Sequence, residues 1–138
     1  ATLKDIRTLD AKFSDAFRKI VQNNRELHRQ HIDQLASQVV RQIEQSYADS
    51  DLSPTRIADS LGMSSAYLGR IFRESMQTSI SQYLNQTRIR RAEELLRETE
   101  QPVETVAGLV GFSNPKYFYV VFKNITGQTP LQFRKQNS

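Results

Sequence analysis

Apolar residues in the first 48 positions follow a helical pattern that has two phases. Residues 2–48 contain neither Gly nor Pro. The first apolar stripe repeats every seven residues with some positions filled in between, and it comprises Ile6, Leu9, Phe13, Ala16, Phe17, Ile20 and Leu27. The second stripe is shifted in phase and comprises Ile32, Leu35, Val39, Ile43 and Tyr47. The pattern predicts one long amphipathic helix with a stutter or a short break at Asn23 and Asn24.

Three interpretations of residues 1–48 stay open. A seven-residue apolar repeat is typical of a coiled coil that joins two copies of a chain, so this segment is a candidate for homodimerisation. The same stripe fits a helix that folds back onto its own domain. It also fits a signalling helix that follows a sensor domain. The chain starts at Ala1 without Met and enters a helical pattern at once, so we expect a fragment of a longer protein.

From Asp51 onward the pattern changes to short helices with clear start and stop signals. Ser53 is placed to cap a helix whose first residue is Pro54, and Gly62 is placed to end it. Ser64 caps a second helix, whose predicted core residues are Tyr67, Leu68, Ile71 and Phe72. A longer helix follows, from Thr78 or Ser79 to Glu98, and stops before Gln101 and Pro102.

These signals occur twice in the chain. Ile57, Ala58, Leu61 and Gly62 match residues 49 positions later, and Tyr67, Leu68, Ile71 and Phe72 match residues 50 positions later. The extra residue falls within Asn114-Pro115-Lys116. A divergent internal repeat predicts duplication of one structural unit.

Each copy has the order helix, short Gly-containing turn, Ser cap, helix, which is the helix-turn-helix pattern. A small Ala in the first helix lets the second helix cross closely, and the outer face of that second helix stays free for the major groove of B-DNA. The helix between the copies, about 20 residues or about 30 Å long, nearly matches the spacing of about 34 Å between successive major-groove faces. Because the copies are tandem, we expect an asymmetric DNA site. An all-helical bundle with accidental internal similarity is the alternative.

Composition reduces the number of function classes that fit the chain. Nineteen Lys and Arg against fifteen Asp and Glu give a net charge of +4 and a pI near 9.6, which favours a polyanionic partner. The chain has no Cys, so thiolate metal sites and Cys nucleophiles are excluded. No apolar run approaches the roughly 20 residues of a membrane span, so we expect no membrane contact and a cytoplasmic location.

The stretch from Leu52 to Arg134 resembles the DNA-binding domain of the AraC/XylS family of bacterial transcription regulators. The motifs that carry the resemblance fall in order: LSPTRIADSLGM, YL..IF, RI..AEELL, VGF, YF..VFK and GQTP..FR. The resemblance implies an all-α fold of seven helices in two helix-turn-helix subdomains, joined by a linker helix. With the long N-terminal helix of residues 1–48 in front, we place subdomain one at 49–78, the linker helix at 79–98 and subdomain two at 102–138.

The resemblance also implies which side chains meet DNA. Arg70 is the strongest candidate, because a guanidinium can bridge O6 and N7 of guanine. Its equivalent in the second unit is Val120, which could only touch a thymine methyl, whereas many relatives have Ser-Arg at Tyr119-Val120. The expected base-facing residues are Ser65, Ala66, Gly69, Arg70, Lys116, Tyr119 and Val120. The expected phosphate-binding residues are Ser64, Arg73, Arg88, Ser113, Asn114 and Lys123.

A second departure from the family is Gln77, where relatives usually have Gly in the turn before the linker helix. Its repeat partner, Gly127, keeps the expected residue. A left-handed Gln77 or a locally different turn would each explain the difference.

The sequence therefore predicts a sequence-specific, double-stranded DNA-binding transcription regulator. By analogy with the family it is an activator that works with RNA polymerase. No catalytic set, cofactor motif or complete metal site stands out, since His28 and His31 lack a third ligand. The competing hypothesis is a protein-interaction module that docks an acidic partner.

Overall fold

Seven α-helices and no strand make up residues 3–138, the part of the chain that this computed structural model describes, with side chains from residue 10 onward. The predicted all-α fold is confirmed. The helices are α1 (Leu3–Ser46), α2 (Pro54–Ser60), α3 (Ser65–Met76), α4 (Ile80–Glu98), α5 (Val103–Leu109), α6 (Pro115–Thr126) and α7 (Pro130–Gln136).

α1 runs for 44 residues without interruption, so of the two alternatives at Asn23 and Asn24 the short break does not occur and the change of phase falls within a continuous helix. The two stripes have different surroundings. Phe13 is 74% exposed and Leu27 is 62% exposed, whereas Val39 and Ile43 are fully buried. The side chains of the predicted stripe residues Ile6 and Leu9 lie outside the described residues.

Two hydrophobic cores share α4. The first core joins residues of α1, α2, α3 and the start of α4, namely Ala36, Val39, Ile43, Ile57, Ala58, Leu68, Phe72, Ile80 and Leu84. The second core joins the rest of α4 to α5, α6 and α7 through residues that include Ile89, Ala92, Leu96, Val106, Phe118, Phe122 and Phe133. α4 is therefore the last helix of the first unit and the first helix of the second.

The second half of α1 is part of the first helix-turn-helix unit, because Val39 and Ile43 lie in its core. The predicted domain boundary at residue 49 thus cuts through one core. Residues 32–43 behave as the helix that folds back onto its own domain. Polar contacts add to the junction of α1 with α3, since Ser75 Oγ donates a hydrogen bond of 2.7 Å to Asp33 Oδ1 and His28 Nε2 lies 3.6 Å from Glu74 Oε1.

The duplication is visible in helix lengths as well as in sequence. α2 and α5 each have seven residues and begin 49 positions apart, while α3 and α6 each have 12 residues and begin 50 positions apart. Ser64 caps α3 by accepting a hydrogen bond from the Tyr67 N–H. The equivalent cap of α6 is Asn114, followed by Pro115, and not Ser113 as the repeat pattern predicts. The extra residue of the second turn supplies this alternative cap.

The turn after α3 has the backbone of a glycine turn although its residue is Gln77. Gln77 adopts φ 61° and ψ 22°, and Gly127 after α6 adopts φ 79° and ψ 0°. Of the two explanations for this departure, the left-handed conformation of Gln77 is the one observed. A left-handed conformation brings Cβ close to the following carbonyl oxygen, so the side chain at Gln77 costs stability that Gly127 avoids.

Replacement of Gln77 by Gly is expected to raise the free energy of unfolding by about 0.5–1 kcal/mol, because the backbone strain of a left-handed side-chain residue is removed. The mirror substitution Gly127→Ala is expected to lower it by about 1 kcal/mol, since the new Cβ meets no atom within 4 Å and only the backbone is strained. Urea denaturation measures both changes.

The matched control is Gln77→Ala, which keeps the strained backbone but removes the hydrogen bond that Gln77 Nε2 donates to the Glu74 carbonyl at 3.1 Å. It should destabilise the protein slightly. A Gln77→Gly variant no more stable than Gln77→Ala would contradict the strain argument.

Candidate nucleic-acid interface

α3 has one buried face and one polar exposed face. Leu68, Ile71 and Phe72 point into the protein. The opposite face consists of Ser65, Ala66, Arg70 and Arg73, which are exposed, and Gly69, which is half-buried. Positions 66, 69, 70 and 73 follow helical spacing, so the residues expected to face DNA in the first unit do share one surface of α3.

Tyr67 departs from the prediction that it belongs to the core. Its side chain is 40% exposed, and the guanidinium carbon of Arg70 lies 5.5 Å from the centre of its ring. Stacking on an aromatic ring restricts an arginine side chain without using its N–H donors. Among residues 10–138 Arg70 forms no ion pair, and its side chain lies on the exposed face of α3.

α6 has the same division of faces but different exposed chemistry. Phe118, Val121 and Phe122 are buried. Lys116, Val120 and Lys123 are exposed, and Val120 leaves 56% of its surface open to solvent. Val120 occupies the place that Arg70 has on α3, so the second unit presents an apolar group where the first presents a guanidinium.

That Tyr119 faces bases stays a prediction, since its side chain is divided between the core and solvent. Tyr119 is half-buried against the second core, and its ring makes an edge contact with Phe118 at 6.3 Å between ring centres. Its repeat equivalent, Gly69, has no side chain, so the pattern gave no sign that a side chain here would pack inward.

Tyr117 is an exposed residue that sequence reasoning did not single out. Half of its surface is open to solvent, and Asn85 Nδ2 donates a hydrogen bond of 3.2 Å to its hydroxyl. The internal repeat could have pointed to Tyr117, because Tyr117 is the equivalent of Tyr67, which is exposed as well. A phenol ring placed among apolar positions looks like a core residue although it can also lie at the surface.

The exposed faces of α3 and α6 lie along one side of α4. A shallow groove beside Gly69 and Arg70 includes Ser79, and a second groove beside Tyr117 and Val120 includes Gln82, Asn85 and Gln86. Asn85 and Gln86 lie three and four residues after Gln82, so these three α4 residues share one helix face, and Ser79 is the N-cap of the same helix. A polar strip of α4 therefore connects the two recognition surfaces.

Five of the six expected phosphate ligands are exposed and fall into three groups. Arg73 and Lys123 are exposed repeat equivalents in α3 and α6. The side chains of Ser64 and Asn114 cap their own helices, so these residues would offer backbone N–H groups near the helix start rather than free hydroxyl or amide groups. Ser113 is exposed in the turn before that cap.

Arg88 does not lie on this surface, so the expectation that it binds phosphate is wrong. The side chain is only 6% exposed. Its Nε donates a hydrogen bond of 2.8 Å to the Tyr47 carbonyl and a terminal nitrogen donates one of 2.8 Å to the Asp49 carbonyl. Burial lowers the pKa of Arg88, and the charge of Asp49 opposes that shift.

The Arg88 side chain connects the two units. Its guanidinium carbon lies 5.6 Å from the centre of the Phe112 ring, which belongs to the turn of the second unit. In the same turn Gly111 has φ +103°; a Cβ there would overlap with the Tyr47 carbonyl oxygen and lie 2.7 Å from Arg88 Nε. Only glycine permits so close an approach of the two turns.

Arg91 also forms polar contacts within the protein. Its Nε donates a hydrogen bond of 2.8 Å to the Tyr47 hydroxyl, and it pairs with Glu94. The hydrogen bond to Tyr47 and the neighbouring Glu94 raise the pKa of Arg91. Arg90 is exposed.

No cluster of three or more His, Asp or Glu side chains in the described residues is placed to hold a metal ion. No helix in residues 3–138 combines the length and the apolar character needed to cross a membrane.

Comparison with known proteins gives a consistent match over the same region. A family model described as a helix-turn-helix domain matches residues 57–136. The Msm operon regulatory protein of Streptococcus mutans is 37% identical over 97 residues, which cover 70% of this chain and 35% of that protein. The chain thus spans about a third of the length of this curated relative.

Solved structures agree with the fold. The C-terminal domain of AraT, a response regulator from Geobacillus stearothermophilus, superposes with a TM-score of 0.72 at 30% identity, covering 74% of this chain and 84% of that one. The DNA-binding domain of the global transcriptional factor AdpA, solved in complex with a target DNA, superposes with a TM-score of 0.67 at 26% identity, covering 74% and 90%.

Proposed function

The chain belongs to the AraC/XylS family of DNA-binding transcription regulators, and from this we propose that α3 and α6 enter successive major-groove faces of one asymmetric DNA site. We further propose that the protein activates transcription together with RNA polymerase, in the cytoplasm. The family is not a class of enzymes.

The observation that supports this mode of binding is the placement of both exposed recognition faces along one side of α4. α4 has 19 residues, a length of about 28 Å, while successive major-groove faces on one side of B-DNA lie about 34 Å apart. The two units follow each other in the same direction along the chain, so a single chain would meet two different half-sites in a fixed order.

The two units would contribute unequally to the recognition of the DNA sequence. Arg70 offers a guanidinium that is restrained by Tyr67, and it can bridge O6 and N7 of a guanine. Val120 offers only an apolar contact at the equivalent place. Sequence discrimination would therefore come mainly from the first unit, while Lys123 holds the second unit on the DNA backbone.

Arg70→Ala is expected to reduce discrimination against a changed base in the first half-site by about 1–3 kcal/mol, the value of one bidentate guanine contact. Val120→Ala should change discrimination in the second half-site by much less. The measurement is a Kd series on duplexes in which one half-site at a time is scrambled, after the site has been selected from random DNA. Equal loss of discrimination from the two variants would refute the unequal division.

Arg73→Gln and Lys123→Gln are each expected to weaken binding to all duplexes alike and to make the slope of log K against log[salt] shallower by about 0.9, the value for one neutralised phosphate. Lys19→Gln is the matched control, since it removes the same charge 13 residues before the buried part of α1 begins. A wild-type slope near zero would instead favour docking to a protein partner.

We also propose that residues 13–31 of α1 form a parallel coiled coil with a second copy of the chain. The exposed apolar residues Phe13, Phe17, Ile20 and Leu27 alternate at four- and three-residue spacing, with Asn24 at the position between the last two. A single Asn in such a seam pairs with its own copy in a parallel dimer and fixes the register.

The charges of this segment support pairing with an identical helix. In that register the charged residues fall at the outer positions of the heptad: Lys12, Asp15, Arg18, Lys19, Arg25, Glu26 and Arg29. The positions that flank the seam carry Ser14, Ala16, Val21, Asn23, His28 and Gln30. No Lys, Arg, Asp or Glu of residues 13–31 therefore lies in the seam, which His31 ends, or beside it when two copies approach.

Ile20→Asp is expected to abolish this association, because it buries a carboxylate in the seam of each helix. Gln22→Asp introduces the same charge at an outer position and should leave association unchanged. Light scattering across a concentration series distinguishes the two. A wild-type protein that stays monomeric at high concentration would remove the proposal.

A further inference from the structure

The two helix-turn-helix units touch at a second place besides α4. The segment that leaves α1, at Tyr47 and Asp49, meets the turn between α5 and α6, at Gly111 and Phe112. Arg88 lies between them, with its hydrogen bonds on the carbonyls of the first unit and the Phe112 ring of the second against its guanidinium.

A helix shared by two cores does not by itself fix their relative position. α4 passes from the first core to the second between Leu84 and Ile89, within little more than one helical turn. Helices bend at small cost, and a bend or a rotation at this point would move α6 relative to α3. The contact of the two turns lies away from the α4 axis and therefore opposes that motion.

The chemistry of this contact requires an arginine. The guanidinium is planar, presents several donors in a fixed arrangement and can lie against an aromatic ring while it binds two carbonyls. A lysine has one compact ammonium group and cannot reproduce that set. No buried side-chain nitrogen or oxygen in the described residues lacks a partner, so the contact is complete as it stands.

We propose that Arg88 is a positioning residue that, together with Gly111, sets the spacing of the two half-sites that one chain accepts. This inference rests on the proposed two-groove mode of binding. Arg88 makes no contact with DNA in this mechanism; it acts by holding the Tyr47–Asp49 segment against the second turn, and so it holds α3 and α6 at one separation and one relative angle.

The test compares binding to duplexes in which the two half-sites are at their selected spacing or one or two base pairs further apart, together with a duplex that contains the first half-site alone. Wild-type protein is expected to lose about tenfold in affinity when one base pair is inserted, a loss comparable to that of a mismatched base pair. Arg88→Lys should reduce that ratio to about threefold and leave affinity for the single half-site within about twofold.

Arg97→Lys is the matched control for Arg88→Lys. It makes the same replacement on the same helix at an exposed position, where the guanidinium carbon lies 5.8 Å from the centre of the Phe133 ring, an aromatic contact within the second unit alone, so the spacing preference should stay at the wild-type value. Gly111→Ala provides a second variant in which the units are pushed apart by a methyl group. Its control is Gly62→Ala, which places Ala at φ +68° in the equivalent turn of the first unit but meets no atom within 4 Å.

Each outcome either supports or overturns the positioning role of Arg88. Relaxed spacing in Arg88→Lys or Gly111→Ala, with single-site binding retained, supports the positioning role. A wild-type spacing preference in both variants overturns it, and so does an equal loss of affinity for single and paired half-sites. If wild-type protein itself shows no spacing preference, the two-groove mode fails and the inference fails with it. Should Arg88→Lys not fold, Gly111→Ala against Gly62→Ala decides the question.

Discussion

A single helix belongs to both hydrophobic cores, and the rest of the structure depends on this sharing. Ile80 and Leu84 complete the first core, while Ile89, Ala92 and Leu96 begin the second. Neither core can form without the same helix, so the two recognition helices stand on one continuous piece of backbone. Arg88 lies where α4 passes from one core to the other. It holds the two units together, because its N–H groups bind carbonyls of the first unit and its planar guanidinium lies against the Phe112 ring of the second.

Local signals allowed most of the fold to be predicted. The cap at Ser53 followed by Pro54, the turn glycines and the repeat of apolar positions act within a few residues, so they can be recognised without knowing the tertiary contacts. Side-chain exposure depends on partners far away in the chain and was harder to predict. Arg88 resembles a phosphate ligand until Tyr47, 41 residues earlier, is seen to accept its hydrogen bond.

The scaffold of the two units is repeated more faithfully than their surfaces. The capping boxes of Ser79 with Gln82 and Thr129 with Gln132 are equivalent, as are the buried faces of α3 and α6. The surface positions differ in chemistry: Arg70 over Tyr67 in the first unit, Val120 beside Tyr117 in the second. Duplication preserves what the core and the turns require and leaves the outer faces free to diverge, which is the expected result when packing constrains one face of a helix and not the other.

The unbroken course of α1 has a mechanical consequence. The exposed stripe ends at Leu27 and the buried stripe begins at Ile32, so the two occupy successive lengths of one continuous helix. A neighbouring helix seated on one stripe therefore leaves the other in the core. Beyond that, α1 contacts α3 through the hydrogen bond that Ser75 donates to Asp33, and His28 Nε2 lies 3.6 Å from Glu74 Oε1. A displacement of α1 near these contacts would therefore act first on α3, the helix that carries Arg70.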